Sequence, residues 1–173
     1  MYVCLLRAAT SARTPDTDIA RWKAVAEEVR PEEDPYLHYM VKGNTLSHRE
    51  WLNLNNERMK LRRQFNAFFG EWDILLCPAA ASAAWPHDQK GERWRRTISV
   101  NNKCVPSTDQ LFWAGYSGVV YLPSTVGPAG LTRSGLPVGY QAISASGRDK
   151  WATAFSRFVE QEIGGFLAPP GYE

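Results

Sequence analysis

The chain has 173 residues, of which 44% are hydrophobic and 22% charged, with a formal net charge of +2. That length can bury a core, and the composition argues against disorder. The near-neutral balance removes the electrostatic case for a nucleic-acid or anionic-membrane partner, and no apolar run reaches the roughly 18–20 residues of a membrane span.

The opening run predicts a helix, because Tyr2, Leu5, Leu6 and Ala9 recur at helical spacing. Nothing caps its start, as expected of a chain cut within a larger fold. No basic residue precedes the short apolar run, so a signal peptide is not expected. A second helix is predicted from about Asp16 to Arg30, capped by Thr17, with Ile19, Trp22, Val25, Ala26 and Val29 on one face. Pro31-Glu32-Glu33-Asp34-Pro35 breaks it, and its carboxylates read as a solvated loop. The clearest helix starts at Ser47, where Ser47 and Glu50 match the capping-box pattern. Trp51, Leu54, Leu61, Phe65 and Phe68 form its apolar stripe, opposite Glu57, Arg58, Lys60, Arg62 and Arg63. Gly70 is its expected end.

Asp73 to Cys77 predicts a short buried strand stopped by Pro78, with Cys77 as a small buried hydrophobe. Residues 79–112 read as a long excursion, in which Arg93-Trp94-Arg95-Arg96 is a solvated loop rather than a phosphate contact. Further strands are predicted over Val119–Leu122 and Val138–Ile143. Pro123 and Pro128 stiffen the segment between them, Gly130 and Gly135 bracket a turn, and Pro137 can open the last strand. Asp149 is expected to cap a final helix with Trp151, Phe155, Val159 and Ile163 on one face, ended by Gly164-Gly165. An irregular Pro169-Pro170-Gly171 tail follows. The expected class is α/β, with short mixed-sheet strands flanked by helices, in a single incomplete domain over residues 1–173.

Cys4, Cys77 and Cys104 are widely spaced with no C-x-x-C pair, which predicts reduced thiols in the cytoplasm. His38, His48 and His87 lack metal-ligand spacing, so no metal is expected, and nothing in the sequence calls for a cofactor.

Several segments occur in an order that carries more weight than any of them singly. They are Arg62 to Phe69, Trp72-Asp73-Ile74-Leu75-Leu76-Cys77-Pro78, Ala84-Trp85-Pro86-His87-Asp88, Arg96 to Asn101 and Leu111 to Gly115. Leu122-Pro123-Ser124-Thr125-Val126-Gly127-Pro128 and Gly135-Leu136-Pro137-Val138-Gly139-Tyr140-Gln141 complete the series. Together they resemble the C-terminal portion of the amidase signature hydrolases, which cleave amide bonds with a Ser-Ser-Lys triad. The resemblance implies that the Leu122–Gln141 unit lies in a mixed sheet backing the active site. It also implies that Trp85, His87, Trp113 and Tyr116 help wall a substrate pocket.

The triad of that family needs a lysine segment and a Gly/Ser-rich loop whose backbone N–H groups form the oxyanion hole. Neither occurs in these 173 residues. Ser117, in Gly115-Tyr116-Ser117-Gly118, is the nearest approach to a glycine-flanked serine and reads as a turn residue. His87-Asp88 is the best local base, but adjacent side chains diverge. The expected function is therefore an amidase C-terminal fragment, inactive alone, that takes a small amide substrate only when completed by a catalytic portion. Association with that missing N-terminal part is the expected partnership. The alternative is a non-catalytic binding or interaction module derived from the same fold. A free-standing hydrolase using Ser117 or His87 is a third reading.

Overall fold

The computed structural model describes residues 1–169, 171 and 172; the expected irregularity at Pro170 lies outside the described residues. Tertiary contacts divide the chain into two compact units, Met1–Arg63 and Gln64–Glu173.

The first unit is helical. It holds α1 (Tyr2–Thr10), α2 (Asp16–Glu28), α3 (Pro35–Asn44) and the first part of α4 (His48–Glu71). Pro15, not Thr17, occupies the N-cap of α2, and Thr17 lies inside the first turn where its hydroxyl cannot serve the free amides. The acidic run is more than a loop. Asp34 caps α3 by accepting from the Leu37 N–H at 2.9 Å, and Pro35 supplies the preset φ of a first helical residue. Helix α1 packs on α3, with Cys4, Leu5, Met40 and Val41 buried. The close approach needs a glycine: a Cβ at Gly43 would lie 2.7 Å from the Cys4 carbonyl oxygen and 2.8 Å from the Arg7 Cβ. At the opposite end of α3, Arg7 Nη2 donates to the Tyr36 hydroxyl at 2.5 Å.

The capping box forms as the sequence predicts. The Ser47 N–H and hydroxyl donate to Glu50 Oε2 at 2.9 and 2.7 Å, and the Glu50 N–H donates to Ser47 Oγ at 3.2 Å. Arg58, expected on the solvated face of α4, is instead buried and bonds Asn55. Gly70 stays inside the helix, which runs to Glu71.

The second unit is mixed. Beyond the end of α4 come β1 (Ile74–Pro78), β2 (Thr97–Val100), β3 (Lys103–Pro106), α5 (Leu111–Gly118), β4 (Ser124–Leu131), β5 (Pro137–Ser144) and α6 (Asp149–Ile163). This is the expected α/β class of short strands flanked by helices, and each described strand pair is antiparallel. The 3-stranded sheet has the order β1-β5-β4, so β5 is central and buries Tyr140 to Ser144. Cys77 of β1 and Val126 of β4 both pair with Gln141 of β5. The β4–β5 turn uses positive φ at Gly130 and Gly135, as expected, and a bulge separates Pro128 from Gly130.

The expected excursion 79–112 contains structure. Strands β2 and β3 form a hairpin around Asn101 and Asn102, both at positive φ, which asparagine tolerates in a tight turn. Val119–Leu122 is not a strand. It is the turn that ends α5, with Val120 and Leu122 buried, and the strand starts at Ser124. Helix α6 docks through Ala152 and Phe155, whose ring meets Tyr140 at 6.5 Å. Trp151 and Ile163, expected on that packed face, are exposed, and Asp149 is the first helical residue rather than a side-chain cap. Gly164 ends the helix at positive φ.

Candidate functional site

A buried polar knot ties α5 to the sheet. Gln141, on the central strand, is 4% exposed and Ser117, on α5, is 5% exposed. The Ser117 hydroxyl donates to Gln141 Oε1 at 3.0 Å. With that proton spent, the 3.2 Å contact between Ser117 and Ser124 is made by the Ser124 hydroxyl donating. Gln141 Nε2 donates to the Trp113 carbonyl oxygen at 3.1 Å and lies 3.5 Å from Cys77 Sγ. The amide orientation is fixed by the carbonyl: flipped, the amide oxygen would face another oxygen. Ser117 is thus a buried helix residue, not the expected turn residue. All its polar partners are neutral, so none can take its proton as a base. Cys77 is only half-buried, and burial pushes its thiol pKa up despite the Gln141 contact.

The pocket residues expected from the sequence fall in two places. Trp113 and Tyr116 sit together on α5 with ring centroids 6.2 Å apart, and Phe112 lies 5.0 Å from Trp113 and 5.7 Å from Tyr116. Phe65 meets Tyr116 edge-on at 5.8 Å. This makes an aromatic wall whose outer ring, Phe112, is 60% exposed. Trp85 instead lines a cavity of about 160 Å³ with Asp88, Arg93, Arg96, Ser107 and Gln110. Gln110 braces that cavity, accepting from the Ala81 N–H at 2.8 Å and donating to Ser82 Oγ at 3.0 Å. Arg96 folds back onto the carbonyls of Lys90 and Gly91. His87 is exposed and outside that lining, and Asp88 caps the Lys90 N–H at 2.9 Å rather than orienting the imidazole. Among the described residues no cluster of His, Cys, Asp and Glu could hold a metal, and no helix is long and apolar enough to cross a membrane.

Sequence reasoning missed Gln141 as a functional candidate. Its signal was present in the G-L-P-V-G-x-Q segment, where a polar residue stands inside an otherwise apolar strand. The Amidase family profile matches residues 5–151, most of the chain. The chain belongs to the amidase family. An acylamidase of Rhodococcus erythropolis is 29% identical over 133 residues, covering 76% of this amidase-family chain and 26% of that protein. Several solved structures share the fold, and two of them show how much is covered. One is a complex described as vestigial that reveals the evolutionary origins of an s-triazine catabolic enzyme. It has a TM-score of 0.67 and 17% identity, over 97% of this chain and 35% of that one. The other is an amidase crystal structure, with a TM-score of 0.62 and 18% identity, over 94% of this chain and 34% of that one. The amidase-signature relationship is therefore shown, and the chain spans about a third of the length of these structures.

Proposed function

We propose that this chain is the C-terminal portion of an amidase domain, supplying scaffold and one wall of a carboxamide pocket, and that it is inactive alone. In this reading both compact units belong to a single incomplete domain. The observation that carries it is the asymmetry of coverage: 97% of this chain superposes on only 35% of a structural relative. The chemistry agrees. The sequence holds no Gly/Ser-rich loop, and Ser117 is surrounded by neutral partners. Trp113 and Tyr116 present the wall and Trp85 an outlying part, while His87 stands outside the cavity that Trp85 lines. The natural partner is the catalytic portion that would bring a lysine and two serines. The free cysteines suit a reducing cytoplasm.

The purified 173-residue protein, incubated with simple primary amides and with anilides, should release neither ammonia nor aniline above the buffer rate. Turnover that disappears in Ser117→Ala or in His87→Ala would install the free-standing hydrolase instead.

A further inference from the structure

We infer that Gln141 is a positioning residue: its amide holds the Trp113–Tyr116 wall of α5 at a fixed place over the sheet. The consequence for substrate rests on the pocket reading above, while the geometry does not. Gln141 is the point where β1, β5, β4 and α5 meet, because Cys77 and Val126 flank it in register and Ser117, Ser124 and Trp113 join the knot. Both ends of the amide are used on the same helix. The oxygen accepts from Ser117, and the nitrogen donates to the carbonyl of Trp113, one helical turn earlier. A helix gripped at residues 113 and 117 can neither slide nor roll without breaking a buried hydrogen bond. The aromatic rings project from the gripped turn, so the amide sets where they stand.

The Gln141→Glu variant tests this, because its side chain has nearly the same shape. Ionised, the carboxylate is an acceptor only and confronts the Trp113 carbonyl oxygen. Protonated, its O–H can donate to that oxygen and restore the grip. Around this position β4 contributes Ser124, α5 contributes Ser117 and the Trp113 carbonyl, and β1 contributes Cys77. Of these only the thiol titrates, and burial moves it further above neutrality.

The readout is the indole N–H resonance of Trp113, assigned with Trp113→Phe. In the native chain it should stay constant between pH 4 and pH 8. In Gln141→Glu it should coincide with the native position at the acidic end and depart from it as pH rises. The midpoint should lie above the ordinary glutamate value of about 4.3, since burial disfavours the charge. A resonance that never leaves the native position overturns the inference, as does a displacement that pH does not rescue. Gln141→Met covers the case in which the charged variant fails to fold. A displaced Trp113 with an unmoved Tyr140, whose ring meets α6 instead, supports the inference; an unmoved Trp113 overturns it. Benzamide titrated into the native chain tests the pocket separately. Absence of binding would remove the pocket-wall reading and leave the Gln141 result standing.

Discussion

Glu50 gives the start of α4 a pH dependence whose direction can be worked out. The Ser47 hydroxyl, then the Ser47 N–H, bind its carboxylate and hold its pKa below the ordinary value. A lowered folded value means a contribution that is complete above the unfolded value, about 4.3, and is lost as pH falls through the folded one. The site is exposed, so solvent screening keeps the effect small. Helical circular dichroism followed through thermal melts should show the native midpoint dropping below about pH 4.3 more than that of Glu50→Gln, which keeps the box without the charge. Superimposable pH profiles would sink this account. Ser47→Ala should cost about 1 kcal/mol at neutral pH. This pair was legible because capping is local: its partners are three residues apart. Gln141 was not, because its partners lie 24, 28 and 64 residues away. Ser117 stood out through its flanking glycines, but only the fold shows that its hydroxyl is spent on that distant amide.

At the scale of elements, the α1–α3 crossing turns on Gly43. Alanine there would gain about 0.5–1 kcal/mol of intrinsic helix preference. Against that, its Cβ would stand 2.7 Å from a backbone carbonyl oxygen of α1, an atom that no rotamer change can move. Overpacking of this kind costs about 1–3 kcal/mol, so Gly43→Ala should lower the urea midpoint. A midpoint equal to or above the native one would show that the helices separate freely. The elements legible in sequence were those with long periodicity or a cap, namely α1, α2, α4 and α6, and the apolar strands β1 and β5. Helix α3 was hidden because Asp34 and Pro35 resemble helix breakers in sequence, when the same two residue types open a helix. The β2–β3 hairpin was hidden by strands of only four residues each; Asn101-Asn102 between alternating Ile98, Val100 and Val105 was the signal to use. Val119–Leu122 shows the limit of a short apolar run, whose burial is real but whose periodicity cannot separate a helix end from a strand.

For the whole molecule the decisive feature is a continuous series of aromatic rings that is open at both ends. Trp72 stacks near Phe68 at 6.4 Å, Phe68 meets Phe69 at 5.1 Å, Phe69 meets Phe65 at 6.4 Å, and Phe65 leads to Tyr116 and Phe112. Trp72 and Phe112, the two ends, are each 60% exposed. Leu76 on β1 and Val126 on β4 are exposed as well, at 55% and 63%. Large rings left exposed at the ends of a packed series are the kind of apolar surface that marks an interaction site. The aromatic series, with the one-third coverage of the structural relatives, sets the severed-portion reading against the independent-module reading. If the chain is a portion that normally packs against a catalytic part, sedimentation should show concentration-dependent association, and the hydrophobic dye ANS should bind the native chain. Phe112→Ser should weaken both while leaving the far-UV spectrum unchanged, because that ring adds little to the buried core. A monodisperse 19.5 kDa monomer that melts in a single cooperative step and ignores the dye would place the independent binding module ahead. The aromatic series would then be a surface kept for a ligand rather than for the rest of an amidase.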